Sequence, residues 1–176
     1  ITYRLAINRP DLVTSGAVHE PAALALLEGS TDSAVKAVAD PFFKELNIVG
    51  DLLMQGRNRD APAHFMDAVA FGPGTWATFP EEAMAAIERN APTFLDELQE
   101  QPYGQLDTHA LASSDVPLLL TVGTESPDFL KVIVRLLSEQ VPKARVEWIE
   151  GAGHVPHSTH PQAWSAVLKD FWQNEM

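Results

Sequence analysis

The chain has 176 residues, 45% hydrophobic and 20% charged, with 24 acids against 12 bases and no cysteine. That length suits one domain, with a core that can bury roughly 70% of the unfolded surface. The net charge of −12 disfavours nucleic acid and anionic membranes as partners. The lack of thiols excludes disulfides, thiolate nucleophiles and cysteine-held metal, and no apolar run approaches the roughly 20 residues of a bilayer span. The expectation is a soluble, cytoplasmic protein.

The chain opens on Ile1 inside a helical pattern that carries Leu5 and Ala6 and stops at Pro10. This reads as the back half of a helix without a cap. It has neither the basic region nor the apolar run of a signal peptide. Val13 to Val18 is short and β-leaning, a brief buried strand ending at His19-Glu20-Pro21. Proline cannot continue a ladder, so Glu20 falls at the strand's carboxyl tip.

Residues 22–112 read as a helical block, with apolar residues at three- and four-residue spacing. Asp32 can cap a helix over Val35, Val38 and Phe42, and Pro41 predicts a kink or break in it. Further helices are expected over Leu46–Met54, Ala63–Ala70, Glu81–Asn90 and from Thr93 to Leu98, with a loop at Gly72-Pro73-Gly74.

In the last third, Pro117 to Val122 is a continuous apolar run too short for a helix, and reads as a strand buried on both faces. A helix over Pro127–Gln140, a strand over Ala144–Ile149 and a helix from Pro161 to about Gln173 follow. A crossover of that length makes the two strands parallel. The fold class is therefore α/β. Three strands are few for so apolar a sheet, which suggests that further strands belong upstream.

The strongest chemical signal is Gly151-Ala-Gly-His154-Val-Pro-His157. It sets a histidine in a small-residue loop past the carboxyl end of a parallel strand, where open α/β sheets bind ligands. His154 there is either a general base or a histidine that packs or faces water. Glu20 lies at the same sheet edge and can orient it. Glu125, Asp128, Asp107 and Asp115 are further acids near the next strand, and most of the 24 acids are surface charges. No G-x-S-x-G occurs, and Ser15, Ser30, Ser33, Ser113, Ser114, Ser126 and Ser158 all lack an elbow context. His154, His157 and His160 have an H-x-x-H-x-x-H spacing, but Pro156 and Pro161 interrupt it, so no metal and no cofactor are expected. Trp76 and Val155 are weak candidates for a substrate pocket.

Three stretches together resemble the C-terminal part of an α/β-hydrolase. Arg9-Pro-Asp-Leu-Val13 through Ala17-Val-His-Glu-Pro21 is similar to the end of the helix after the nucleophile elbow and the sixth strand. Val116 to Gly123 is similar to the seventh strand, and Gly151 to Pro161 to the catalytic-histidine loop and last helix. The resemblance implies core segments at 1–21 and 113–176, a helical cap at 22–112 and His154 as base. The family's commonest acid position falls on Ser126, so that acid is absent. Some haloalkane dehalogenases take the acid from the end of the sixth strand, where Glu20 stands, with Glu125 and Asp128 in reserve.

The resemblance further implies an elbow just before Ile1, and upstream strands on the order of 100 residues. The complete protein would hydrolyse a small to medium, largely apolar ester, lactone or related molecule. An Asp nucleophile would make it a dehalogenase or epoxide hydrolase instead. The piece alone would be inactive and would need the N-terminal part of its domain or a companion chain. A non-catalytic binding or assembly module, with a homodimer covering its sheet edge, is the remaining alternative.

Overall fold

The computed structural model describes residues 1–99 and 105–174. Residues 100–104, inside the expected helical block, and 175–176, inside the expected C-terminal segment, lie outside the described residues. The chain divides into two compact units, one from residues 1–29 with 105–174, the other from residues 30–99.

The first unit holds α1 (Thr2–Asn8), β1 (Gly16–His19), α2 (Ala25–Glu28), α6 (Thr108–Ser113), β2 (Leu118–Gly123), α7 (Asp128–Gln140), β3 (Arg145–Ile149), α8 (Pro156–Thr159) and α9 (Pro161–Asn174). Its three strands form one parallel sheet in the order β1-β2-β3. Every residue of β2 is buried, as Leu118, Leu119, Leu120 and Val122 require of a central parallel strand. Leu118, Leu120 and Val122 alternate onto one face and pack with Val134 and Leu137 of α7, Ala6 of α1 and Leu111 of α6. The helix α7 follows from its sequence, since Leu130, Ile133, Val134 and Leu137 recur at helical spacing and are all buried.

Two boundaries differ from the sequence reading. The first strand begins at Gly16 instead of Val13, because Pro10–Leu12 forms a 3-10 turn and the ladder opens with Gly16 N–H donating to the Pro117 carbonyl. Residues 22–29 and 105–112 pack with the sheet unit: Leu27 and Leu111 are both buried, and α2 lies on α7.

The second unit contains α3 (Ser33–Met54), α4 (Asp60–His64), a π-helical turn over Phe65–Ala70, a 3-10 turn over Trp76–Thr78 and α5 (Glu81–Gln99). Asp32 caps α3, its carboxylate accepting from Ala34 N–H at 2.8 Å. Pro41 does not break this helix, and Pro92 likewise sits inside α5, which is continuous where two helices were expected. An interior proline costs about 3 kcal/mol. In α3 the buried stripe Val35, Ala39, Phe42, Leu46, Val49 and Leu53 runs on both sides of Pro41, and six buried apolar side chains outweigh one missing hydrogen bond. A cavity of about 270 Å³ lies within this unit, lined by Val49, Leu53, Phe65, Ile87 and Phe94, with Asn90 as a polar neighbour.

Leu137 is fully buried between α7 and the central strand. Leu137→Ala should lower the unfolding free energy by about 2–5 kcal/mol, read as a lower urea midpoint with an unchanged slope.

Candidate active site

All three strands direct their carboxyl ends to one edge of the sheet, and the polar residues of interest gather there. Strand β1 ends at His19, and Glu20 follows with φ of +45°. This left-handed conformation is uncommon for a residue with a β-carbon. In a regular strand His19 and Glu20 would point to opposite faces. The turn at Glu20 lets both serve the same cluster, with His19 Nε2 3.4 Å from Glu20 Oε1.

The Glu20 side chain is fully enclosed. Its Oε2 accepts from His154 Nδ1 at 2.5 Å, and its Oε1 accepts from Gly123 N–H at 3.0 Å and from the Ser126 hydroxyl. Burial alone would push this carboxyl up. The donors from His154, Gly123 and Ser126 outweigh it and hold the group below the usual carboxylate range, hence ionised at neutral pH. A carboxylate on Nδ1 fixes the imidazole tautomer that has Nε2 as the basic atom.

His154 is supplied by the loop after β3. The Ala152 carbonyl accepts from Glu125 N–H at 2.9 Å, which ties this loop to the one after β2. Gly151 adopts φ of +70°, which glycine takes without penalty. At Gly123 a β-carbon would collide with the Ala152 carbonyl, so the approach of the two loops depends on a bare backbone there. About a third of the His154 side chain is exposed, so the ring is open to a reacting molecule.

His19 is the residue whose role the sequence reading missed. Its Nδ1 shares a 3.0 Å hydrogen bond with Oγ1 of the buried Thr121, its ring stacks on His154 at 6.3 Å, and Trp164 meets it edge-on. Desolvation is the main force on its titration and outweighs the attraction of Glu20, so its pKa lies below the ordinary value and the ring is neutral at pH 7.

The other candidates fall elsewhere. Asp128 is exposed and pairs with Lys131 at 2.7 Å, and Glu125 is exposed. Ser126 is buried against Glu20 instead of standing on an elbow. Val155 follows His154 and is half-buried, its carbonyl accepting from Ser158 and Thr159 N–H. Trp76 lies in the helical unit against Phe79. His157 lies within α8 and His160 caps it, and the group with metal-ligand spacing among the described residues is His19, Glu20 and His154, not the three loop histidines.

No family model matches the chain, and no curated protein matches it. Solved structures do. An α/β hydrolase from Sphaerobacter thermophilus is 24% identical with a TM-score of 0.56, over 90% of this chain and 58% of that one. A carboxylesterase structure from the thaumarchaeon Nitrososphaera gargenis is 10% identical with a TM-score of 0.64, over 98% of this chain and 60% of that one. Est816, described as degrading N-acyl homoserine lactones, is 16% identical with a TM-score of 0.60, over 96% of this chain and 62% of that one. The chain has the α/β-hydrolase fold, corresponds to its C-terminal part, and spans about three fifths of the length of these structures.

The depressed Glu20 pKa has a stability consequence. An acid with a lowered folded pKa contributes stability above its unfolded value, about 4.5, that is lost as pH falls through the folded value. Wild type should therefore exceed Glu20→Gln in urea resistance at pH 7, and the gap should shrink steadily as pH is lowered from 4.5. A gap independent of pH would contradict an ionised, hydrogen-bonded Glu20.

Proposed function

We propose that this chain is the base-and-acid portion of an α/β-hydrolase, with His154 as general base and Glu20 as its orienting acid. The observation that carries the reading is the 2.5 Å hydrogen bond from His154 Nδ1 to a buried, ionised Glu20 at the carboxyl edge of a parallel sheet. The nucleophile comes from outside these 176 residues, since the matched structures are longer and no elbow serine is present here. A serine on that elbow would be deprotonated by His154 Nε2 and attack an ester or lactone carbonyl. The carbonyl–oxygen bond breaks as His154 returns the proton to the leaving alkoxide, and the acyl-enzyme is cleared by a His154-activated water. The substrate class, a small to medium, largely apolar ester or lactone, is carried over from the family resemblance.

A second reading is favoured by the place of the acid. Glu20 follows β1, the position that resembles the acid of some haloalkane dehalogenases. With an Asp nucleophile the same dyad would activate water against an ester formed on the enzyme.

The test uses the protein together with its upstream nucleophile segment, assayed on p-nitrophenyl esters and acyl lactones. His154→Ala should lower kcat on the order of 10³-fold or more, and Glu20→Gln by a similar factor. Full activity in His154→Ala would overturn the proposal. Single turnover in ¹⁸O-water, run on an ester and on a haloalkane, separates the two readings: label built into an enzyme carboxylate during haloalkane turnover marks the Asp nucleophile, and label confined to the acid product of the ester marks serine.

A further inference from the structure

The buried edge of the sheet holds one polar atom that the His154–Glu20 dyad does not use. His19 Nε2 is buried and has no partner in good hydrogen-bond geometry, with the His154 backbone beside it and Glu20 Oε1 at 3.4 Å. The ring cannot simply turn away, because its opposite nitrogen is bonded to Thr121 and its faces are held by His154 and Trp164. A buried, oriented imidazole nitrogen beside a carboxylate is half of a metal site.

We propose that His19, Glu20 and His154 form a binding site for a zinc-type divalent cation, and that the cation and the catalytic hydrogen bond exclude one another. Zinc takes imidazole nitrogen and carboxylate oxygen at about 2.0–2.2 Å, so neighbouring tetrahedral ligand atoms stand about 3.3 Å apart. His19 Nε2 and Glu20 Oε1 are already 3.4 Å apart. The ligand atoms of all three residues lie within 4.8 Å of one another, so a modest turn of the partly exposed His154 ring completes the set. The outer partners that a metal histidine and carboxylate require are in place: His19 Nδ1–H donates to Thr121 Oγ1, and Gly123 and Ser126 hold the Glu20 carboxylate group. Two histidines and one carboxylate leave the fourth position to water. On binding, His154 turns from Glu20 Oε2 to the metal and changes tautomer, its Nδ1 proton passing to solvent as Nε2 takes one up, so that the Nδ1 lone pair takes the cation and the ring stays neutral. The ring is then coordinated through Nδ1 and no longer oriented as a base.

Binding stands on the geometry alone. Inhibition of turnover rests in addition on the hydrolase reading above. The two fail separately, because binding is measured on the chain without any substrate.

The chain, purified without a histidine tag, is titrated with Co²⁺ and followed by visible absorption, with Zn²⁺ as competitor. One Co²⁺ per chain with d–d bands that Zn²⁺ displaces is expected. His19→Phe should weaken binding at least about 100-fold, Thr121→Val about 10- to 100-fold, and His157→Ala with His160→Ala not at all. No band, a band that survives in His19→Phe, or one lost with His157 and His160 overturns the site. If His19→Phe does not fold by circular dichroism, imidazole ¹⁵N spectra of the unsubstituted chain decide. Zinc must shift His19 Nε2 and His154 Nδ1, and shifts confined to the other histidines overturn the proposal.

Discussion

One buried carboxylate organises the sheet edge. Glu20 is charged and shut away from water, a state that costs several kcal/mol per ion unless donors replace the lost hydration. The donors come from three places in the chain: the backbone at the end of β2, the serine three residues further, and the histidine of the loop after β3. Satisfying one charge therefore fixes the relative positions of three strand ends. The bare Gly123 follows from the same requirement, since the histidine loop must come close enough for its ring to reach the acid. So does the left-handed backbone at Glu20, which turns the acid out of the strand's alternation toward its donors.

This arrangement also explains which features were legible beforehand. The central strand is written in consecutive apolar residues, and only a two-sided burial accounts for such a run. The placement of His154 was legible because a loop of small residues past a parallel strand brings its histidine over the carboxyl edge of the sheet. Glu20 was legible through Pro21, which ends the ladder and marks the tip. The convergence of His19 and Glu20 was not. Adjacent strand residues point to opposite faces by default, and nothing in the residue types announces a positive φ at a glutamate. Ser126 was read as a serine without an elbow and as the place of a missing acid, because a pattern of single positions does not show that its hydroxyl would meet a carboxylate over a hundred residues earlier.

The prolines of the helical unit taught the opposite lesson. Pro41 and Pro92 carry a known local cost; a kink or break is expected at Pro41, and separate helices are expected to end at Asn90 and begin at Thr93, on either side of Pro92. The buried stripe on α3 has five large members beside Ala39, whose burial at about 1.5–3 kcal/mol each exceeds the cost of one proline several-fold. Tertiary burial decides such cases, and it is visible in a sequence only when the apolar spacing is followed through the proline instead of up to it.

The place of the acid follows from the same geometry. Ser126 and His154 both donate to the Glu20 carboxylate, from β2's loop and from β3's loop. A carboxyl at position 126 would thus approach the region Glu20 already fills. Two buried carboxylates so close cannot both ionise, because like charges at that range raise one pKa strongly. The sheet edge therefore has room for one acid, on β1 or after β2, and the other position must carry a neutral donor. Here β1 supplies the charge and Ser126 supplies the donor. What the fold constrains is where the negative charge sits relative to His154, and the strand that delivers it is free to differ.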